Sequence, residues 1–257
     1  MRIQYISDIH LEFYNKLPPQ LILKPEAEVL CLAGDIGFPY SSRYEEFLMR
    51  MSENFKKVFL ITGNHEYYNA QGNRHHTMEE IDNRIRQIIT DHKLMNVTYL
   101  DNEYEDYEGY RFVGSTLWSK CEVPIVEHCV NDFRAIKEMS VDLYNSLHDI
   151  SREFLKSEVV TESPLPVIVM THHLPSYKLI DRKYINDNKH LNKYFASNSE
   201  DLFIPKMIAW IYGHTHVGGM SEVNGIKFYC NPYGYPGEND EEVKIVTFEV
   251  FPTRRCA

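Results

Sequence analysis

Side chains that can bind metal ions recur in this sequence, each time directly after an apolar segment. Asp8 and His10 come first: a carboxylate and an imidazole two residues apart point the same way in an extended chain and can chelate one ion. Asp35 follows the second apolar segment, after a glycine. Each such pattern is common in proteins, so the inference depends on how often it recurs here.

The same arrangement returns three more times along the chain. The third apolar segment ends at a glycine and then presents Asn64 and His65, the fourth ends at His172, and the fifth leads into a Gly-His-Thr-His stretch. The complete set of candidates is Asp8, His10, Asp35, Asn64, His65, His172, His214 and His216. Because ligand types are improbable by chance after five successive apolar segments, we interpret the set as one site.

These donors predict a pair of metal ions. They are oxygen and nitrogen atoms without thiolates, too many for one tetrahedral zinc, and mixed carboxylate and imidazole ligands favour manganese, iron or zinc over magnesium or calcium. Asp35, with ligands on either side of it in the sequence, is the predicted bridge. Two such ions can hold a hydroxide at neutral pH and stabilise an in-line displacement at phosphorus. His65, left over from the ligand count, is the predicted general acid for the leaving group.

The apolar segments are typical of buried strands. Residues 58–61 are β-branched, aromatic or aliphatic, as in strands covered on both faces. Gly63 then lets the backbone turn sharply. In open α/β sheets the ligand crevice lies at the carboxyl ends of the strands, so such strands would bring the candidate side chains together.

Helices are predicted between several of these strands. Ser42 with Glu45 and Thr77 with Glu80 have the spacing of capping boxes, and Ser140 precedes a third helical pattern. Strands that alternate with helices indicate an α/β fold.

Two other segments are polar. Residues 101–108 are strongly acidic and are interpreted as a solvated turn. Residues 174–205 are polar and lack strong periodicity, which favours a lid or a substrate loop.

Several side chains are candidates for the substrate pocket. Tyr67, Tyr68, Trp118 and Tyr177 could stack on a base, and Arg134 could hold an anion. Core packing is the alternative for the aromatic residues, and a surface ion pair is the alternative for the arginine.

Composition limits the classes of function. The 257 residues contain no linker or repeat, which predicts a single domain over residues 1–257. A net charge of −10 argues against binding of duplex nucleic acid. No segment resembles a signal peptide or a membrane span, and the five cysteines form no C-x-x-C pair, so reduced thiols and a cytoplasmic location are expected.

The ordered motifs resemble the signature of the calcineurin-like metallophosphoesterases. They are Asp8-Ile-His10, Gly34-Asp35, Gly63-Asn64-His65-Glu66, His172 and Gly213-His214-Thr215-His216. Both ends of the chain are also similar to uncharacterised bacterial and phage members. Phe38 stands where the related purple acid phosphatases carry an iron-binding tyrosine, so the resemblance does not extend to them.

The resemblance implies a fold and a set of roles. The fold would be a four-layer α/β/β/α sandwich of two mixed β-sheets flanked by helices. One metal would be held by Asp8, His10, Asp35 and His216, and the other by Asp35, Asn64, His172 and His214. Asn64 would also touch the substrate phosphate and His65 would protonate the leaving group, while His173 is an alternative to its neighbour His172.

The predicted function is hydrolysis of phosphomonoesters or phosphodiesters on a small or nucleotide-like substrate. Two alternatives are a nuclease acting on single-stranded ends and a catalytically silent interaction module that retains the fold. The negative charge disfavours the nuclease, and the complete set of site residues disfavours the silent module.

Overall fold

The chain folds into two β-sheets with helices on their outer faces. In the computed structural model the described residues are 1–68, 75–121, 129–160, 165–185, 191–238 and 243–251. Within them the strands are β1 (Arg2–Ile6), β2 (Val29–Ala33), β3 (Lys57–Ile61), β4 (Val97–Tyr99), β5 (Glu103–Tyr107), β6 (Tyr110–Ser115), β7 (Val167–Thr171), β8 (Met207–Tyr212), β9 (Gly219–Val223), β10 (Ile226–Cys230) and β11 (Thr247–Glu249). The helices are α1 (Ser42–Asn54), α2 (Met78–Asp91), α3 (Asp132–Ala135), α4 (Val141–Val160) and α5 (Arg182–Ile185).

Both sheets are mixed. The first has the order β11-β1-β2-β3-β4, in which β1 to β4 run parallel and β11 is antiparallel to β1. The second has the order β5-β6-β7-β8-β10-β9, with β5 and β9 antiparallel at its two edges. The predicted pair of mixed sheets is therefore confirmed.

Alternating side chains divide the core into layers. In β2, Cys31 packs between the two sheets, while Leu32 points to the outer face covered by α1 and α2. In β7, Met170 packs between the sheets, while Val169 points to the opposite outer face with Leu155 of α4. Because strand side chains alternate between faces, each fully apolar strand serves two layers. The result is the predicted α/β/β/α sandwich.

Side-chain caps fix where the first two helices begin. Helix α1 is capped by Ser41, whose hydroxyl accepts from the Tyr44 N–H at 3.3 Å, one residue before the predicted Ser42. The capping box before α2 is complete, with Thr77 N–H donating to Glu80 at 2.7 Å and Glu80 N–H donating to Thr77 at 3.2 Å. Within the described ranges, none of the helices has the length and hydropathy needed to cross a membrane.

The sequence predicted that the acidic segment at residues 101–108 is a solvated turn. The structure shows that most of it is a strand. It contains β5, an edge strand that pairs with β6 from Glu103 opposite Gly114 to Tyr107 opposite Tyr110. Charged side chains are tolerated on an edge strand because one of its sides faces water, and they discourage pairing with another chain. The acidic composition therefore indicated correctly that the segment is exposed, but it did not indicate that the segment forms a strand.

The sheet topology brings the candidate ligands to one place. Strands β1, β2 and β3 are parallel neighbours in the first sheet, and β7 and β8 are parallel neighbours in the second. Their carboxyl ends therefore meet at one edge of the sandwich. A backbone bond from Gly213 N–H to His172 O, 3.1 Å long, joins the turns after β7 and β8.

Candidate metal centre

Two glycines let the strand-end turns approach closely. A Cβ atom on Gly63 would lie 2.2 Å from Asp35 Oδ1 and 2.7 Å from the ring of His172. On Gly34, whose φ is +85°, a Cβ atom would lie 2.6 Å from His172 Nδ1. Any larger residue would push these side chains apart, so the glycines set how closely the ligand candidates can meet.

Glu66 is fully buried, and its carboxylate links the turns after β2 and β3. It accepts hydrogen bonds from the backbone N–H groups of Asp35 (3.0 Å), Ile36 (2.6 Å), Gly37 (3.3 Å) and Gly63 (2.7 Å). Burial and the charge of Asp35 raise the pKa of Glu66 to about 8, while the amides of Gly63 and Ile36 favour its charged form. This carboxylate therefore holds both turns in one arrangement.

Five of the ligand candidates adopt the left-handed backbone conformation, which residues other than glycine rarely occupy. The φ angles are 53° for Asp8, 53° for His10, 54° for Asp35, 68° for His214 and 50° for His216. Each such residue costs on the order of 1–3 kcal/mol and persists only where its surroundings impose it, as at functional sites. The concentration of strain on these residues marks the region as a site.

Asp8, His10 and His216 form a first cluster, with one ligand atom of each within 4.8 Å of the others. His10 Nε2 lies 3.1 Å from His216 Nε2, which lies 3.4 Å from Asp8 Oδ1. Asp8 also accepts from the His214 N–H at 3.0 Å. The cluster therefore joins the end of β1 in one sheet to the end of β8 in the other.

Asp35, His172 and His214 form a second cluster of the same compactness. His172 Nε2 lies 3.2 Å from Asp35 Oδ2 and 3.2 Å from Asn64 Oδ1. Asp35 Oδ2 also lies 3.9 Å from His10 Nε2. Asp35 thus stands between the two clusters, where one carboxylate is close to ligand atoms of both.

Two further carboxylates hold imidazoles of the first cluster by their Nδ1 atoms. Glu12 Oε1 lies 3.0 Å from His10 Nδ1, and Glu238 Oε2 lies 2.6 Å from His216 Nδ1. These acceptors favour a proton on each Nδ1, so the Nε2 atoms of His10 and His216 face each other as potential ligands. A divalent cation can replace a proton shared between them, so the donors fit a metal ion.

The second cluster shows the same feature. His172 Nδ1 lies 2.9 Å from the backbone carbonyl oxygen of Ala33, which selects the tautomer with a lone pair on Nε2. That lone pair faces the oxygen atoms of Asp35 and Asn64. A divalent ion bound here would take the place of the proton that Asp35 otherwise favours on this nitrogen.

The buried carboxylates of the two clusters favour positive charge beside them. Burial would raise the pKa values of the Asp8 and Asp35 carboxyls, but the neighbouring imidazoles reverse this and lower both. Burial likewise opposes protonation of the imidazoles, yet Asp35 raises the pKa of His172 to about 10 and Asp8 raises that of His216 to about 9. Protons or divalent cations can meet this demand at the same atoms.

His65 lies beside both clusters and is 8% exposed. Its Nδ1 lies 2.9 Å from Glu12 Oε1, the oxygen that also contacts His10, and its Nε2 lies 3.2 Å from the Tyr235 hydroxyl. Its backbone N–H donates to Asp35 Oδ1 at 2.7 Å. Its ring is also within 4.8 Å of ligand atoms of His10 and Asp35. Both ring nitrogens therefore have partners outside the two clusters.

Asn64 is oriented by two side chains. Its Nδ2 donates to Asp132 Oδ1 at 2.9 Å and to the Tyr68 hydroxyl at 3.1 Å. The Tyr68 hydroxyl also donates to the same Asp132 oxygen at 2.5 Å. Because both amide protons are directed toward these acceptors, Asn64 Oδ1 is left facing His172.

The structure brings His172, and not His173, into the clusters. The His173 ring packs between Trp118 and His214, with ring centroids 5.4 Å and 4.3 Å away. Neither of its ring nitrogens has a hydrogen-bond partner in the described part of the chain. Burial, with the charge of His172 next to it, lowers the pKa of His173 to about 3, so this ring is neutral.

A cavity of about 390 Å³ opens beside the clusters. Asn64, His65 and Tyr68, which the sequence analysis named as candidates for contact with the substrate, line it. Tyr177, another predicted stacking residue, is 42% exposed and lies outside the lining.

The other three predicted substrate residues also lie outside this lining. Tyr67 is buried with its hydroxyl 2.8 Å from Asp82, and Trp118 is buried against Tyr144. Arg134 is exposed and donates to Asn131 Oδ1 at 2.5 Å. The structure thus places the two aromatic rings in the core, because their apolar surfaces complete the packing around α2 and α4, and keeps the arginine at the surface.

Sequence reasoning missed four residues of the site, Glu12, Asp132, Tyr235 and Glu238. Glu12 was detectable, because it follows His10 by two residues and carboxylates commonly hold ligand imidazoles. Tyr235 and Glu238 lie five and eight residues after the end of β10, too far along the chain for the strand-end pattern to indicate them. Asp132 meets Asn64 across 68 residues and carries no local signal.

Comparisons with known proteins agree with this geometry. The family model described as calcineurin-like phosphoesterase matches residues 1–218. An uncharacterized protein of Acanthamoeba polyphaga mimivirus is 28% identical over 268 residues, covering 93% of this chain and 94% of that protein. The crystal structure of phosphopantetheinyl hydrolase from Mycobacterium tuberculosis is similar with a TM-score of 0.69 and 16% identity, covering 95% of both chains. A likeness at that identity shows a shared fold.

Proposed function

Because the chain belongs to the calcineurin-like phosphoesterase family and is thereby a phosphoester hydrolase, we propose that it hydrolyses phosphate esters at a pair of divalent metal ions. The observation that carries this proposal is the position of Asp35 between two clusters of ligand atoms, 3.2 Å from His172 Nε2 and 3.9 Å from His10 Nε2. Bound ions in such a centre supply a nucleophile at neutral pH and stabilise charge on the phosphoryl oxygens.

The two clusters define the proposed ligand sets. The first ion is held by Asp8, His10, Asp35 and His216, and the second by Asp35, Asn64, His172 and His214. The converging Nε2 atoms of His10 and His216 support this division, as does the orientation of Asn64 Oδ1. Mixed carboxylate and imidazole ligands favour manganese, iron or zinc.

His65 is the proposed general acid. It lines the cavity, and its two ring nitrogens are paired with Glu12 and Tyr235, which favours proton transfer over metal ligation. Glu12 holds Nδ1, so Nε2 gives its proton to the ester oxygen as the bond from that oxygen to phosphorus breaks. Burial lowers the pKa of His65, but Asp35 and Glu12 outweigh it and raise that pKa, which keeps the proton available.

Asn64 is proposed to contact the substrate phosphate as well as an ion. It lines the cavity, and its amide is held by Asp132 and Tyr68. A phosphoryl oxygen would replace the Tyr68 hydroxyl as the acceptor of one Nδ2 proton, while the bond to Asp132 keeps the amide oriented as a donor.

A small phosphate ester is better supported as the substrate than a single-stranded nucleic acid. The described lining of the cavity contains no lysine or arginine, whereas binding along a nucleic-acid backbone depends on such groups. The complete ligand set and His65 also support turnover over a silent interaction module.

We further propose that the chain acts in the cytoplasm as one domain. Cys31, Cys121, Cys129 and Cys230 are free thiols, which supports a reducing compartment. Cys256 lies outside the described residues.

The first experiment removes and restores the metals. Metal-stripped protein is assayed with p-nitrophenyl phosphate and bis(p-nitrophenyl) phosphate after addition of manganese, iron, zinc or magnesium, with Asp35→Asn as the matched variant. We expect turnover to return with metal in the wild type only, and the better substrate assigns monoesterase or diesterase activity. Wild-type protein that binds two ions and hydrolyses neither ester contradicts the proposal.

A second experiment isolates the proton donor. His65→Asn should lose about 10²–10⁴-fold in kcat on an alkyl phosphate, whose leaving group needs a proton, and much less on p-nitrophenyl phosphate, whose leaving group does not. Equal losses on the two esters would assign His65 to another role.

A further inference from the structure

The cavity beside the metal centre has two chemically different sides. The side toward the clusters is polar and includes Asn64, His65 and His214. The other side is built largely from apolar and aromatic side chains. They are Val130, Leu174, Ile180, Tyr184, Leu191 and Phe195.

Most of the apolar side comes from the segment at residues 174–205, which the sequence identified only as a lid or substrate loop. The wall is held by backbone bonds, from Leu174 N–H to Phe195 O at 3.0 Å and from Ser197 N–H to Leu174 O at 2.9 Å. The Tyr144 hydroxyl of α4 also donates to Tyr194 O at 3.2 Å. These bonds hold the described parts of the segment in a defined position along the cavity.

The apolar wall begins directly beside the metal centre. The Phe195 ring lies 4.9 Å from the ring of His214, and 40% of its surface is exposed. Tyr184 is also exposed, to 37%. Large rings that remain in contact with water beside a reactive centre offer apolar surface to a ligand.

The described residues of the apolar wall carry no charge that could hold a second anionic group. Besides histidines, the ionisable side chains in the described lining are Cys129, the four tyrosines Tyr68, Tyr184, Tyr194 and Tyr235, and the carboxyl groups of Asp35, Asp132 and Glu238. Lys183 lies over the Tyr184 ring at 4.7 Å and is outside that lining. A substrate with an additional phosphate or carboxylate would find no lysine or arginine in the described lining, and the three carboxyl groups disfavour it.

We propose that the preferred substrates are esters that join one phosphate group to an uncharged, largely apolar alcohol. The phosphate lies at the metal centre and the organic group lies against the wall formed by Ile180, Leu191 and Phe195. Water adds across the ester bond: its oxygen bonds to phosphorus, the bond from phosphorus to the ester oxygen breaks, and the alcohol leaves with a proton. This inference rests on the proposed phosphoesterase function.

The test compares esters that differ only in the organic group. The metal-reconstituted full chain is assayed with ethyl, butyl and hexyl phosphate, with glycerol 3-phosphate, whose alcohol is polar and uncharged, and with 3-phosphoglycerate, which carries a carboxylate besides its phosphate. We expect kcat/KM to rise by up to about fourfold per buried methylene, and by at least about tenfold from ethyl to hexyl phosphate. Glycerol 3-phosphate and 3-phosphoglycerate should be poorer substrates than butyl phosphate.

Variants then connect the preference to the wall. Leu191→Asn and Ile180→Asn should lower the hexyl-to-ethyl ratio of kcat/KM by about threefold or more, whereas Leu191→Met should keep it. Met95→Asn, at a side chain that is 90% exposed and remote from the lining, should leave all rates unchanged. Thermal melting of each variant confirms that it is folded.

The outcomes separate the two proposals. A hexyl-to-ethyl ratio near one, or faster hydrolysis of 3-phosphoglycerate, overturns the apolar preference and leaves the phosphoesterase intact. An asparagine variant that is folded and keeps the full wild-type ratio also overturns the role of the wall. Absence of turnover on every ester, including p-nitrophenyl phosphate, overturns the proposed function and this inference together.

Discussion

His10 Nε2 and His216 Nε2 lie 3.1 Å apart, although 206 positions separate the two residues in the sequence. The Nδ1 atom of each ring contacts a carboxylate, Glu12 for His10 and Glu238 for His216. This contact joins the first motif of the chain to the last and leaves two nitrogen atoms converging on one point. It is the most direct structural sign of an ion-binding position, and it makes the two carboxylates separately testable.

Glu12→Ala should weaken metal binding through His10 and also slow proton donation by His65. Glu12 Oε1 contacts Nδ1 of both His10 and His65, whereas Glu238 contacts His216 and Tyr235 N–H but neither of the first two imidazoles. Loss of a carboxylate behind a ligand histidine typically costs about 10–100-fold in metal affinity or activity. We expect both alanine variants to bind metal more weakly by calorimetry.

Proton donation by His65 distinguishes Glu12→Ala from Glu238→Ala. With saturating metal, Glu12→Ala should remain slow on an alkyl phosphate, while Glu238→Ala should recover. Glu12→Gln, which keeps an acceptor oxygen, should be intermediate. Full recovery of Glu12→Ala at high metal concentration would show that Glu12 serves only the ion.

Gly63→Ala should disrupt the centre more than the bulk of the fold. The added Cβ would lie 2.2 Å from Asp35 Oδ1, so Asp35 or the turn must move. A displacement of about 1 Å at such a site can cost on the order of 100-fold in rate. We expect at least that loss of kcat/KM and fewer bound ions per chain by metal analysis.

Gly109→Ala is the control, because it lies between β5 and β6, where a Cβ atom would meet no other atom within 4 Å. Its activity should stay within a few-fold of the wild type. Equal losses in the two variants would show that close approach at Gly63 is not specific to the centre.

Asp132→Ala should lower kcat by releasing Asn64. The buried Asp132 carboxylate accepts from Asn64 Nδ2 at 2.9 Å and from the Tyr68 hydroxyl. Without it, the amide can rotate and turn Oδ1 away from His172. We expect a loss of about 10–100-fold, as for other residues that orient ligands, measured with saturating metal.

Tyr68→Phe removes a smaller part of the hydrogen-bond network that joins Asn64, Tyr68 and Asp132. It keeps the ring on His65, with centroids 4.1 Å apart, but removes one acceptor from Asn64 and one donor to Asp132. The loss should be only a few-fold, and metal affinity should change in the same direction for both variants. An unchanged metal affinity in Asp132→Ala would contradict the orienting role.

Asp82 offers a test of pH-dependent stability away from the metal centre. Its Oδ1 accepts from the hydroxyls of Tyr67 at 2.8 Å and Tyr99 at 2.7 Å, and burial raises its pKa from 3.8 to about 6. Since the folded state holds this proton more tightly than the unfolded state, the stabilisation is complete below about pH 4 and is lost as pH rises through about 6.

Urea unfolding with chelator present measures this effect in the wild type and in Asp82→Asn. Between pH 5 and pH 7 the wild type should lose about 1 kcal/mol more unfolding free energy than the variant, because the variant has no proton to release. Parallel profiles for the two proteins would assign Asp82 an ordinary pKa.

The sequence alone was enough to predict which candidate ligands gather at this edge of the sheets, because they follow a local rule. Asp8, Asp35 and His172 each stand directly after a buried strand, and parallel strands present their carboxyl ends at one edge. Apolar runs, glycines and side-chain types are all readable without tertiary contacts. The two mixed sheets and the family followed from the same motifs.

The tertiary structure decided which side chains surround the centre. Tyr67 and Tyr68 are adjacent and chemically identical, yet the first packs in the core and the second lines the cavity. They leave a short 3-10 turn in different directions, and the packing of α2 and α3 determines what each one meets. Asp132 reaches Asn64 from 68 residues away, by a contact that no local pattern encodes.

The same division holds for the fold at large. Strand ends and helix caps depend on a few neighbouring residues, so the order of the elements could be deduced from the chain itself. The edge strand β5 and the apolar wall formed by Ile180, Leu191 and Phe195 depend on which distant surfaces are available to cover them. Local chemistry therefore determined the reaction class, whereas long-range packing, which minimises exposed apolar surface over the whole chain, determined the shape of the space where a substrate must fit.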